Sequence, residues 1–196
     1  MRALVLLAHP DPQSFSAALA AAALRGLAAG GHEARLVDLY AQDFDPVMTR
    51  ADRLAYETGT AVVDPVVAAQ AEHVRWADTL VFVFPTWWSG LPAILKGWLE
   101  RVLVPGVAFE LDERTRKVRP TMQHVTRVVG ITTYGSPRLY VTALGDGGRR
   151  TVGRALRLVC GRRTRATWLA LHDIDRRTDA ERRTFLATVE AKVARL

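Results

Sequence analysis

The sequence is poor in several things that would otherwise decide its class. It has one cysteine, Cys160, so neither a disulfide framework nor a thiolate-rich metal site can form within the chain. That usage suits a reducing compartment, and a cytoplasmic location is expected. No run approaches the roughly 18 apolar residues that cross a bilayer, so membrane insertion is not expected. The apolar run at 3–8 is too short for a leader, and His9, Pro10 and Asp11 follow it at once without a small-residue cleavage site. Lysine is scarce: only Lys96, Lys117 and Lys192 accompany the arginines. The glycine-rich phosphate loops of dinucleotide-binding and P-loop proteins are absent, as are internal repeats and low-complexity tracts.

What remains is ordinary globular material. The chain has 196 residues, 49% of them apolar, enough for a packed core in one domain over 1–196. The formal net charge is +7, and its location is uneven. From Arg149 onward there are 13 Lys/Arg against five Asp/Glu. A basic surface of this kind can serve anionic phosphates or nucleic acid. Neither interleaved aromatics nor a nucleic-acid motif accompanies it. It therefore reads as arginine on solvated helix faces, with no nucleic-acid partner.

Strand and helix patterns alternate along the chain. Residues 3–8 form a continuous apolar run, as in a strand buried on both faces. Residues 14–29 have helical composition and stop at Gly30-Gly31. Residues 34–39 read as a strand, 41–48 as a loop, and 49–57 as a short helix capped by Thr49. Asp64-Pro65 opens a helix reaching about Trp76, with Pro where a missing N–H costs nothing. Residues 79–84 are the strongest strand pattern. Helix at 92–103, strand at 125–132, helix at 148–159, strand at 166–171 and a helix at 179–194 capped by Asp179 complete the series. Parallel strands joined by right-handed helical crossovers give an α/β fold: a doubly wound five-stranded parallel sheet of order 2-1-3-4-5. Ligands of such sheets bind at the carboxyl ends of the strands, near the switch point.

Three loops lie at those ends. The first, His9 to Ala17, opens a helix whose free N–H groups and dipole suit a phosphate, with Ser14, Ser16 and His9 as added donors. The plainer alternative is that Ser14 only caps the helix and His9 bonds the backbone. The second runs Pro85-Thr86-Trp87-Trp88-Ser89-Gly90-Leu91-Pro92. Its Trp pair would wall a planar ring, or else fill a hole beside the sheet or a protein interface. The third, Thr132-Thr133-Tyr134-Gly135-Ser136-Pro137-Arg138-Leu139-Tyr140, offers small residues, close backbone approach at Gly135 and a phenol from Tyr140. It also reads as an ordinary strand-to-helix turn. Arg138 beside it is a candidate for a nucleotide 2′-phosphate. Cys160 reads as buried packing, and His32, His73, His124 and His172 share no metal spacing.

Taken together the segment 82–102, with Pro85-Thr86-Trp87-Trp88-Ser89-Gly90-Leu91-Pro92 at its head, resembles the NAD(P)H:quinone oxidoreductase family of flavodoxin-like proteins. His9-Pro10 with Ser14-Phe15-Ser16, Asp38-Leu39-Tyr40, Phe44-Asp45-Pro46 and residues 132–140 are also similar to that family, and the likeness weakens after about Arg149. The resemblance implies a flavin, FAD first with FMN as alternative, and NAD(P)H as co-substrate. It implies ping-pong, two-electron reduction of a quinone or similar aromatic acceptor by a homodimer with sites at its interface. It puts His9, Ser14, Phe15, Ser16 and Ala17 on the phosphate side. It places Pro85, Thr86, Trp87 and Trp88 along the ring, and Thr132, Thr133, Tyr134 and Gly135 at its far edge. Tyr140 is then the catalytic phenol. Members that carry a His soon after this Tyr use it in proton movement; here 141–146 has none, so Tyr140 or water has to serve. Two relatives of other function share the pattern. One is the flavin-binding regulatory subunit of potassium-efflux transporters, and the other is the FMN azoreductase or electron carrier.

Overall fold

A computed structural model describes residues 1–58, 64–112, 114–115, 117–161 and 163–196. Five strands form one all-parallel sheet: β1 (Arg2–Leu7), β2 (Glu33–Asp38), β3 (Thr79–Pro85), β6 (Arg127–Thr133) and β7 (Arg165–Leu171). Their order is β2-β1-β3-β6-β7, which is the expected 2-1-3-4-5 when only the strands of this sheet are counted. A two-stranded antiparallel ribbon, β4 (Phe109–Leu111) and β5 (Val118–Pro120), interrupts the crossover to β6. Its strands have three residues each, too few for their Phe-Glu-Leu and Val-Arg-Pro alternation to stand out as a strand pattern.

Successive side chains of a strand point to opposite faces, and here each face has its own core. Leu4, Leu6, Leu80, Phe82 and Phe84 point to one side. They meet α3 (Pro65–Trp76) and α4 (Ala93–Val102) through Val67, Val74, Leu95 and Trp98. Val5, Leu7, Val81, Val83 and Ile131 point to the other, against α1 (Phe15–Ala29) and α8 (Asp179–Val193). Helices α1 and α8 touch closely: a Cβ on Gly26 would lie 2.4 Å from the Glu190 carbonyl oxygen.

One buried cation ties α4 to what precedes it. Arg101 is 4% exposed. It donates to Asp52 Oδ2 of α2 (Arg50–Thr58) at 3.2 Å, to the Asp45 carbonyl at 2.7 Å and to Asp64 Oδ2 at 2.8 Å. Burial alone would raise both carboxyls. Hydrogen bonds from Thr49 to Asp52 and from Val66 to Asp64, with the Arg101 guanidinium beside each, hold both below the usual carboxylate value.

Helix starts follow their caps. Ser14 accepts from Ala17 N–H at 3.1 Å, and Asp64 caps α3 with Pro65 at its first position. The α8 cap differs from expectation: Thr178, not Asp179, accepts from Glu181 N–H, and the Glu181 carboxylate returns the bond to Thr178 N–H. This Thr-x-x-Glu box satisfies two first-turn donors at once, which Asp179 one residue later does not. A short helix, α5 (Arg138–Ala143), follows the third loop where none was expected, and its residues are all exposed or half-buried. The helix expected at 148–159 is α6 (Gly147–Arg150), a π turn (Thr151–Ala155) and α7 (Leu156–Cys160) in succession.

Candidate functional site

Parallel pairing brings the three loops to one edge. Leu7 lies opposite Val83, Pro85 opposite Thr133, and Thr133 opposite Leu171, so β1, β3, β6 and β7 release their chains at neighbouring points. The loops then brace each other. Thr86 N–H donates to the Thr133 carbonyl at 2.8 Å, and the Thr86 and Thr132 hydroxyls share a 2.9 Å hydrogen bond. His9 of the first loop rests 5.7 Å from the Trp87 ring.

The second loop turns over on two residues. Gly90 N–H donates to the Trp87 carbonyl, and the residues between them, Trp88 and Ser89, have φ of 48° and 58°. This is the left-handed region, which costs an L-residue roughly 1–2 kcal/mol and is rare for a bulky one. The turn is held from behind, where Gly147 N–H donates to the Ser89 carbonyl. A Cβ on Gly147 would lie 2.9 Å from that oxygen, so glycine permits the approach. The product of the strain is an indole in full solvent: Trp88 is 103% exposed.

Across from it the third loop buries its first aromatic. Tyr134 O–H donates to Asp146, 2.9 Å and 3.0 Å from the two carboxylate oxygens, and its ring stacks on His172 at 4.5 Å and 7°. Burial, then the hydrogen bond and charge of Asp146, push this phenol far above its ordinary value. Burial and the charge of Arg138 lower His172. Asp146 is itself left-handed (φ 42°) and also accepts from Arg149 N–H.

Between these walls lies a cleft of about 460 Å³, within the range of small-ligand sites. Of the residues expected at the site, Thr86, Trp87, Trp88, Tyr134, Gly135 and Tyr140 line it. Tyr140 is 57% exposed. Pro85, Thr132 and Thr133 are buried behind this wall and brace it. His9, Ser14, Phe15, Ser16 and Ala17 do not line the cleft. They lie beyond Trp87 at the start of α1, where Phe15 and Ser16 N–H have no acceptor among the described residues. His9 Nδ1 faces the backbone of Asp11, 3.0 Å from its N–H and 3.2 Å from its carbonyl oxygen, which leaves Nε2 without a partner among the described residues. Arg138 does not line the cleft. Ser89 and Ser136, within the marked loops, line it too; Val141, Leu144 and Asp146, beyond those loops, line it without having been expected. Only the tertiary partner of Asp146, 12 residues away, marks it as part of the site. Cys160 is buried, its thiol pushed up to about 12 by desolvation, which fits inert packing.

Comparison with known proteins agrees with this architecture. The family model described as the flavodoxin-like fold matches residues 1–188. NAD(P)H dehydrogenase [quinone] 1 of Rattus norvegicus is 36% identical over 156 residues, covering 71% of this chain and 56% of the relative. The chain thus spans little more than half the length of that curated relative. Human ribosyldihydronicotinamide dehydrogenase [quinone] is 30% identical over 164 residues, covering 76% of this chain and 70% of the relative. The solved NAD(P)H:quinone oxidoreductase of Methanothermobacter marburgensis superposes with a TM-score of 0.82 at 25% identity, covering 99% of this chain and 96% of that one. By the family match over nearly its whole length, by the strand order and by a cleft at the carboxyl ends of the strands, the chain belongs to the flavodoxin-like fold family.

Proposed function

We propose that this chain, as one flavin-binding domain over 1–196, is an NAD(P)H:quinone oxidoreductase that uses FAD, with FMN as the alternative. The observation that carries the reading is Trp88. A bulky residue is held in the left-handed region with its indole in water, at the lip of a cleft floored by Tyr134 and Gly135. Strain kept at such a place is typical of ligand clamps. The names of the quinone-reducing relatives point the same way.

The residues present fit a flavin. Gly135 has no side chain, and a Cβ there would meet only the Asp175 carboxylate at 3.2 Å, so the floor is open to a flat ring. Phe15 and Ser16 N–H, the Ser14 hydroxyl proton and His9 Nε2 would hold the phosphate side. A flavin bound there supplies two-electron transfer between a reduced nicotinamide and an aromatic acceptor. Trp87 and Trp88 would orient each reactant in turn and exclude water. Tyr134, buried and hydrogen-bonded to Asp146, holds its proton more firmly than a free phenol. Tyr140, half exposed at the same cleft, is left as the phenol that passes a proton to the reduced acceptor.

Trp88, Leu139, Tyr140 and Leu144 are large exposed apolar side chains around one rim, which supports a homodimer joined over the site. A cytoplasmic location follows from the same reading; among the described residues no helix is long and apolar enough to cross a membrane. The test is an anaerobic absorption spectrum with FAD or FMN, before and after one equivalent of NADPH. Bleaching that recovers on adding a quinone is expected, and the extracted flavin identifies the cofactor. A protein that takes up neither flavin would end the reading. Tight flavin that no nicotinamide bleaches would favour the regulatory subunit or the carrier.

A further inference from the structure

A second groove, of about 480 Å³, lies between β7 and the helical run from Gly147 to Cys160. Arg149, Arg150, Arg154 and Arg157 line one wall, Thr167 and Trp168 the other. It meets the cleft at Asp146, which lines both. We infer that this groove binds the phosphorylated adenosine end of NADPH and selects its 2′-phosphate. The inference rests on the reductase reading and deepens it.

The first ground is unspent charge. Among the described residues none of these four guanidinium groups makes an ion pair or a side-chain hydrogen bond. Several arginines on other helices do: Arg25 pairs with Glu190, Arg53 with Glu57 and Arg75 with Glu72. Like charges three and four residues apart, as in 150, 154 and 157, weaken a helix. Among the described residues no ion pair of the four side chains compensates that cost.

The second ground is shape. Gly153 lines the groove, and a Cβ there would meet nothing nearer than Arg149 Cγ at 3.9 Å, so the wall is recessed. The helix carries its π turn, Thr151–Ala155, at this very stretch, and π turns gather at functional sites.

The third ground is matching. One reactant must present a flat redox ring to the cleft and negative charge to the groove that adjoins it. A dinucleotide diphosphate carries two negative charges, and a 2′-phosphate monoester adds about 1.5 to 2 more near neutrality. Four arginines balance that sum, and their planar forks suit phosphate oxygens and the adenine face. Asp146 forms no ion pair with any of the four; its carboxylate accepts from Tyr134 O–H and Arg149 N–H. Arg138 lines neither groove and is not the selector.

The experiment titrates the flavin-loaded protein with 2′,5′-ADP and with 5′-AMP by calorimetry, and measures kcat/KM for NADPH and NADH. Wild type is compared with the double variant Arg154→Gln/Arg157→Gln, whose fold is checked by circular dichroism. We expect 2′,5′-ADP to bind roughly tenfold or more tighter than 5′-AMP, with a strong salt dependence. The double variant should lose that difference, and its NADPH-to-NADH ratio of kcat/KM should fall by roughly tenfold or more. Equal binding of the two adenosine phosphates by wild type would overturn the inference, as would a preference that survives in the variant. The calorimetry needs no turnover. Binding of 2′,5′-ADP by a protein that neither nucleotide reduces would therefore refute the reductase reading while leaving the groove assigned.

Discussion

Two regions of this molecule, the flank beside α4 and the carboxyl edge of the sheet, use costly groups in opposite ways. Beside α4 a single arginine is buried and every part of it is answered: Asp52, Asp64 and the Asp45 carbonyl take up Arg101. At the carboxyl edge the costs stand open. Trp88 and Asp146 hold left-handed backbones, and four arginines share a groove without a counter-ion among the described residues. A satisfied network specifies a structure; strain and charge that nothing in the fold relieves mark where something else is to bind.

The comparison breaks first at Arg101. Replacing it with Met leaves two carboxylates facing a hole, and urea unfolding should show a loss of about 3–5 kcal/mol. The same network sets the acid limit. Asp52 and Asp64 are depressed in the folded protein, so the unfolded chain binds protons more readily. Their contribution is full above the ordinary carboxylate value of 3.8 and fades as pH falls through their lower folded values. Unfolding midpoints measured from pH 6 downward should drop over that span, and the Arg101→Met protein should show a shallower drop.

Trp88→Gly should act with the opposite sign. Glycine takes a positive φ freely, so stability should rise by about 1 kcal/mol while flavin affinity falls. A variant that loses stability would show the turn to be packed rather than strained. The smallest effect belongs to Arg154→Ala. Ending its repulsion with Arg150 and Arg157 should raise stability by about 0.3–0.5 kcal/mol in low salt and by less in high salt. A destabilised variant would mean that this arginine is a structural member like Arg101.

Legibility in the sequence divided along the same line. Buried strands declare themselves by composition, so 79–84 needed no partner to be read, and Asp64-Pro65 names the start of α3 by its own chemistry. The α8 start at Asp179 is legible but its cap is not, because Asp179 satisfies the cap preference while the Thr178–Glu181 reciprocity is a pair property. The β4–β5 ribbon and α5 are too short for a period to show, at three residues a strand and six in the helix. Within the site, the aromatic and small residues of the second and third loops are conspicuous as types. The partnership of Tyr134 with Asp146 is not, because it depends on a left-handed aspartate 12 residues along. The arginines of 149–157 are exposed, as a solvated face reads, but the groove they line is not legible: a helix and a strand edge form one only when the sheet places them together.

The π turn at Thr151–Ala155 has a consequence for descent. Such a turn holds one residue more than the α-helix around it, so losing a single codon would restore an unbroken helix. The residues beyond the deletion would keep their bearing, because the turn takes up its extra residue locally; Leu156 and Cys160 would stay buried against the sheet. Relatives one residue shorter at this point would keep the sheet and the cleft, with one residue fewer on the exposed wall of the second groove.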